Sequence, residues 1–229
     1  MTSFYKDKDK FYIGIDCIIF GFSENDLSLL ILKRDLQPAK GCWSLPGGFL
    51  EKNENLHEAA RRVLAELTGL NDVYMEQLET FGEVQRDPGE RVVSVAYYAL
   101  IDIQNQDVSL LSKYQACWVK IGEMPDLIFD HNQMVEKARI TLRNRAAIAP
   151  IGFNLLPDKF TMSQFQSLYE AIYSERLDKR NFRKKILKMN ILEKLDEKDK
   201  SSSKRGAYFF RFNIDKYNDF INKGYNFTI

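Results

Sequence analysis

A chain of 229 residues, 45% apolar and 28% charged, can build one large domain or two modest ones and is too apolar for wholesale disorder. The net charge is only +1, but residues 1–150 carry 17 Lys and Arg against 22 Asp and Glu, while residues 151–229 carry 16 against 10, so a front of −5 precedes a back of +6. The opening MTSFYKDKDKFY has no apolar core of signal-peptide length and no later run approaches a bilayer span. Cys17, Cys42 and Cys117 lack metal-ligand spacing, so the expectation is a reduced, cytoplasmic protein.

In the front half, the β-branched and aromatic run Ile13–Phe22 predicts a strand, and Leu27–Lys33 a second, joined by turn residues Ser23–Asp26 as a hairpin. A short extended piece, Trp43–Leu45, leads into Pro46-Gly47-Gly48, where glycine permits an abrupt change of direction. Leu56–Thr68 has helical periodicity and stops at Gly69; Val92–Ile103 and Ala116–Val119 are strands; Met134–Ala147 is a helix that joins the two halves. Pro150, Gly152 and Pro157 mark a boundary, giving domains over 1–148 and 149–229.

The back half has another grammar. Thr161 and Gln164 form a capping box for a helix over Met162–Tyr173, and Asp178 can cap a second helix running to about Met189. Its first turns read KRNFRKK, five of seven residues basic, with Phe182, Ile186 and Leu187 as apolar anchors. Ile191–Leu195, a polar loop Asp196–Gly206 and the strand Ala207–Phe212 follow. Helix, turn, basic helix and β-ribbon are the outline of a winged helix-turn-helix. Lys179, Arg180, Asn181, Arg183 and Lys184 would then face the major groove, where Arg matches guanine and Asn adenine. Lys184 and Lys185 could instead hold phosphate, and Lys204 and Arg205 at the loop tip would touch backbone or minor groove.

Gly48 to Leu70, GFLEKNENLHEAARRVLAELTGL, resembles the Nudix box, G-x5-E-x7-R-E-u-x-E-E-x-G-u, through Gly48, Glu54, Arg62, Leu64, Glu66, Gly69 and Leu70. Val63 and Leu67 stand where that family places two helix glutamates that coordinate the metal. A hard divalent cation wants carboxylate oxygen, and an apolar side chain offers none. The resemblance therefore implies a frame without its chemistry: no catalytic residue, no metal and no cofactor, against the alternative of a weak magnesium-dependent pyrophosphohydrolase using Glu54 and Glu66.

Together with WSLPGGF (43–49), TFGEVQRDPGERVVSVAYYAL (80–100), FTMSQFQSLYEAI (160–172) and LDKRNFRKKIL (177–187), the chain resembles Nudix-related transcriptional regulators, in which a Nudix-like sensor precedes a winged helix. The resemblance implies an α/β/α Nudix sandwich followed by a winged helix-turn-helix. It also implies a homodimer on double-stranded operator DNA and a small effector that releases it, as in a repressor. One branch of that family senses L-arabinose and another ADP-ribose; the sequence looks closer to the arabinose branch, with ADP-ribose the alternative. A neutral sugar needs acids and amides for its hydroxyls and an aromatic wall for its ring. Glu83, Gln85 and Arg86 beside Asp87-Pro88-Gly89, Trp43 and Tyr98 as walls, and Asp16, Arg34 and Lys40 are the candidate effector contacts.

Overall fold

The computed structural model describes residues 6–23, 25–71, 73–103, 115–200 and 205–228. Two long strands, β1 (Tyr12–Ser23) and β2 (Asp26–Lys33), form the expected hairpin, turning at Asn25 with φ +66°. β3 (Trp43–Ser44), β4 (Gly47–Phe49), α1 (Leu56–Thr68), β5 (Met75–Phe81), β6 (Val92–Asp102) and β7 (Ala116–Lys120) follow. They build one mixed sheet in the order β3-β2-β1-β6-β5, with β4 also on β1 and β7 also on β2. β1 and β6 run parallel, Ile15 opposite Val95, and the other pairs are antiparallel.

Both faces of this sheet are covered, which is why β1 and β2 read as almost unbroken apolar runs. On one face Ile15, Cys17 and Ile19 pack with Ala59, Ala60, Val63 and Leu64 of α1. On the other, Ile18, Phe20 and Phe22 join a core built with α2 (His131–Ile148) and α3 (Met162–Tyr173). A 3-10 segment, Pro150–Leu155, leads from α2 to β8 (Phe160–Thr161). After α3 come α4 (Lys179–Met189), the hairpin β9 (Leu192–Asp199) and β10 (Ala207–Phe212), and α5 (Ile214–Asn222); β8, β10 and β9 form a small second sheet. The architecture is a Nudix sandwich followed by a winged helix.

α1, α3 and α4 occupy the spans their periodicity and caps predict. Asn55 closes a reciprocal capping box with Glu58, Thr161 does so with Gln164, and Asp178 accepts from the Asn181 amide. α2 begins three residues before the predicted Met134, and β9 runs on through Glu197, Lys198 and Asp199, which were expected in a loop. That charged extension is held as strand by pairing with Ala207 and Tyr208, and Lys194 and Lys198 lie 3.6 and 4.4 Å from the Tyr208 ring. Among the described residues no helix is long and apolar enough to cross a membrane.

Candidate effector cleft and nucleic-acid interface

The box helix α1 rises from a tight approach of β4. A Cβ at Gly48 would sit 2.8 Å from a Val63 methyl, so Val63, 1% exposed, packs directly beneath the glycine. Of the four carboxylates around the box, Glu58 caps the helix and the other three converge on a single cation. Arg62 grips Glu54 with Nε and Nη2 at 2.9 and 2.6 Å, reaches Glu66 at 3.2 Å and Glu51 at 3.7 Å, and donates to the Phe49 carbonyl. That bidentate grip holds the Glu54 carboxyl down at about 2. Among the described residues no group of three His, Cys, Asp or Glu side chains is arranged to hold a metal ion. As arranged, this donor set is a poor cradle for a divalent cation: Arg62 occupies the oxygens of Glu54 and one of Glu66, and aliphatic side chains stand at the two positions that would complete it.

A second polar cluster lies on the opposite face of the sheet and is almost wholly buried. Arg86 holds Asp130 with two parallel hydrogen bonds, 2.8 and 2.7 Å, and its Nη2 lies 3.5 Å from Asp16. Ser94 donates to Asp16 at 2.5 Å, and Nε2 of His131 stands 3.5 Å from the other Asp16 oxygen. The Leu45 amide donates to His131 Nδ1 at 3.2 Å, which fixes the neutral ring with its proton on Nε2, towards Asp16. Burial lowers the His131 pKa, opposed by the carboxylates of Asp16 and Asp130 and reinforced by Arg86 and Arg34. The cluster forms because β1, β6, the β3–β4 corner and the start of α2 meet here. A Cβ on Gly47 would lie 2.3 Å from Asp16 Oδ1, so only glycine fits against that carboxylate.

Beside this cluster opens a cleft of about 670 Å³, lined by Glu83, Gln85, Arg86, Phe129, Asp130 and Gln133. The structure thus brings three of the predicted effector residues, Glu83, Gln85 and Arg86, to one opening, with Asp16 behind Arg86. Arg34 does not line this opening but stands against one of its residues: its guanidinium lies 5.6 Å from the Phe129 ring while its Nε donates to the Leu36 and Pro38 carbonyls. Phe129 holds its ring there from a left-handed backbone, φ +52°, a conformation an aromatic residue adopts only under constraint. Asp130 is the N-cap residue of α2 and makes no side-chain cap bond, its carboxylate being committed to Arg86. Phe129, Asp130, His131 and Gln133 escaped the sequence reading. The available signal was one of only two histidines set beside an aspartate in FDHNQ, just ahead of a helical pattern.

The other predicted contacts lie elsewhere. Lys40 is in an exposed ion pair with Asp35. Trp43 packs against the core, with the Lys33 ammonium 5.0 Å from its ring. Tyr98 sits further along β6, accepting from Arg145 at 2.7 Å and donating to Glu76 at 3.0 Å, with burial pushing its phenol up to about 12. It lines a different opening, bordered by Tyr74, Ile151 and Asn154.

In the back half Lys179, Arg180, Asn181, Arg183 and Lys184 are all exposed on α4, while Phe182, Ile186 and Met189 point into the core. Leu187, expected as an inward anchor, is 44% exposed: it lies one residue off the stripe that Met189 completes. The β9–β10 hairpin stands where a wing would. Arg205 is exposed at its turn, and Lys204 lies outside the described residues.

Comparisons with known proteins agree with both halves. Residues 10–138 match the family model of the NUDIX domain, and residues 152–212 match that of the NrtR DNA-binding winged helix domain. Over 207 residues, 89% of this chain and 82% of the relative, the sequence is 33% identical to the ADPR responsive transcriptional repressor NtrR of Acinetobacter baylyi. The chain belongs to the Nudix-related transcriptional regulators. Its fold is similar to that of Shewanella oneidensis NrtR crystallised with a 27mer DNA, with TM-score 0.79, 28% identity and coverage of 94% of this chain and 97% of that one. The Nudix domain of the same Shewanella regulator, crystallised with ADP ribose, is 33% identical over 62% of this chain and 99% of that one, with TM-score 0.51. Among these relatives the arabinose expectation finds no support. The Acinetobacter relative is named for its response to ADPR, and the ligand in the Shewanella Nudix crystal is ADP ribose. Missing metal ligands do not favour a neutral sugar over a diphosphate, because binding a diphosphate needs cations, not a catalytic metal, and arginines can supply them.

Proposed function

We propose that this protein is a transcriptional repressor that binds operator DNA through α4 and its wing and releases it on binding ADP-ribose. Residues 1–148 act as sensor and residues 149–229 as DNA-binding module. One observation carries the reading: the open cleft beside Arg86 lies at the first turn of α2, the helix whose far end joins the winged helix. Arg34 supplies a cationic partner for a diphosphate, Arg86 fixes Asp130 at the cleft wall, Phe129 offers a face for an adenine, and Glu83, Gln85 and Gln133 give acceptors and donors for ribose hydroxyls. A cleft of about 670 Å³ is of a size for such a ligand.

The chain works as a homodimer, since a two-fold operator asks for a two-fold reader. By linkage, the effector releases DNA only if it favours the DNA-incompetent arrangement; a differential affinity of about 1.4 kcal/mol weakens DNA binding tenfold. Hydrolysis is not part of this function, because Glu54 and Glu66 are held by Arg62 rather than aimed at a cation.

The test is fluorescence anisotropy of the full chain on the duplex upstream of its own gene neighbourhood, at fixed salt, titrated with ADP-ribose and separately with AMP and ribose 5-phosphate. ADP-ribose alone should release the duplex, and should be recovered intact after incubation with magnesium. DNA binding indifferent to ADP-ribose would sink the effector assignment, and turnover of ADP-ribose would sink the claim that the box is inactive.

A further inference from the structure

α5 lies beyond the matched winged-helix region, which ends at residue 212, and none of its residues is buried. It is anchored against the core through Tyr217 and Phe220, with Phe227 of the segment after it buried beside Tyr217, and its start is tied down by the Asn213 amide donating to the Ile191 carbonyl. Between α5 and α4 runs an open cleft of about 510 Å³ bordered by Lys185, Lys188, Lys216, Lys223, Asp219 and Tyr225. Four ammonium groups face one carboxylate. Asp219 pairs with Lys223 at 2.5 Å, and Lys216 donates to the Leu192 carbonyl. Lys185 and Lys188 form no ion pair among the described residues.

The placement of this cleft decides what it fits. Phe182, Ile186 and Met189 are the inward stripe of α4. Arg183 and Leu187 border the side facing the wing, in an opening shared with Lys194 and Tyr208, whereas Lys185 and Lys188 border the side facing α5. The two openings meet at Asn190 and Lys216, at the C-terminal end of α4. α4 therefore has a basic element on each flank. A helix with its side chains is about 10–12 Å across and the major groove about 12 Å wide, so a helix seated there has a phosphate backbone on either side.

We propose that the lysine cleft between α4 and α5 is a second phosphate-binding surface, through which Lys216, where the two openings meet, and Lys223 hold the DNA strand that passes the α5 side of α4. The proposal rests on the DNA-binding reading above. It adds contacts that position the duplex without reading its sequence, because a lysine meets phosphate as a point charge. Asp219 steers the Lys223 ammonium and does not cancel the cleft, which keeps three further lysines.

The experiment measures DNA affinity of the full chain against salt concentration, on the duplex upstream of its own gene neighbourhood and on an unrelated duplex of equal length. The Lys216→Gln/Lys223→Gln variant should bind both duplexes about tenfold more weakly at the same salt, with the log–log salt slope smaller by about two. Lys216→Arg/Lys223→Arg should keep the wild-type slope. Lys52→Gln/Lys137→Gln, which removes the same charge from the front half of the chain, should keep it as well. A glutamine variant with the wild-type slope, or a distant pair that lowers the slope equally, would overturn the second surface while leaving DNA binding by α4 intact. A wild-type chain without salt-sensitive binding to either duplex would overturn both readings together.

Discussion

His131 shows how one buried side chain ties the polar cluster behind the cleft to the pH of its surroundings. It is 3% exposed, accepts from the Leu45 amide and faces Asp16, with Asp130, Arg86 and Arg34 as the other nearby charges. Burial outweighs the two carboxylates, so the folded ring titrates below its ordinary 6.5. The unfolded chain then takes up a proton first as pH falls. The stability that the neutral ring provides is complete above 6.5 and is lost as pH drops from there through the lower folded value. His131→Asn keeps an acceptor for the Leu45 amide and removes the titration. Denaturant unfolding between about pH 7.5 and about pH 5 should show wild type losing more stability than the variant. Parallel pH profiles would mean that the proton goes elsewhere in the cluster.

At the scale of elements, α1 shows how one arginine gathers the carboxylates of a box helix. Glu51, Glu54 and Glu66 are like charges that a metal would otherwise reconcile, and here Arg62 does so from within the helix. Arg62→Met should therefore lower the melting temperature at neutral pH. The deficit should narrow as pH falls from 4.5 towards about 2, because the lowered Glu54 contributes stability above its unfolded value and loses it through that window. A deficit that persists unchanged into acid would assign the loss to the methylene packing of Arg62 instead. The same helix was fully legible beforehand, since its apolar spacing and terminal Gly69 are local signals, as are the capping box of α3 and Asp178 before α4. β5 was not legible: MEQLETF is a half-exposed edge strand whose Glu76 and Glu79 mask its alternation. α5 was missed because it is nine residues long and only half-buries Tyr217 and Phe220. The effector cleft was half legible. Glu83, Gln85 and Arg86 form one polar run before a Pro-Gly turn, but Asp130 joins them from 44 residues away, a pairing no local pattern contains.

For the whole molecule, the division into an acidic front and a basic back marks two chemistries within one continuous core. Ile18 and Phe20 of β1, Met134 and Leu142 of α2, and Phe165 and Leu168 of α3 belong to a single buried cluster. The inner stripe of α2, Met134, Ala138, Leu142 and Ala146, packs within it at helical spacing. Arg139 also donates to Ser174, and the Arg143 guanidinium lies 5.7 Å from the Tyr173 ring, both at the end of α3. The cleft and the winged helix are thus joined by a packed helix and not by a loose linker, since α2 is packed on both modules. The corollary is cooperative unfolding. Both tryptophans, Trp43 and Trp118, lie in the front module, whereas Phe165 is fully buried among Phe153, Phe160, Tyr169 and Phe182 in the back. Phe165→Ala should cost about 3–5 kcal/mol. Because the core is shared, the loss should move the denaturation midpoint read by front-module tryptophan fluorescence. A tryptophan transition that stays at the wild-type midpoint while the variant loses DNA binding would show two independently folding modules, and α2 would then be a tether rather than a lever.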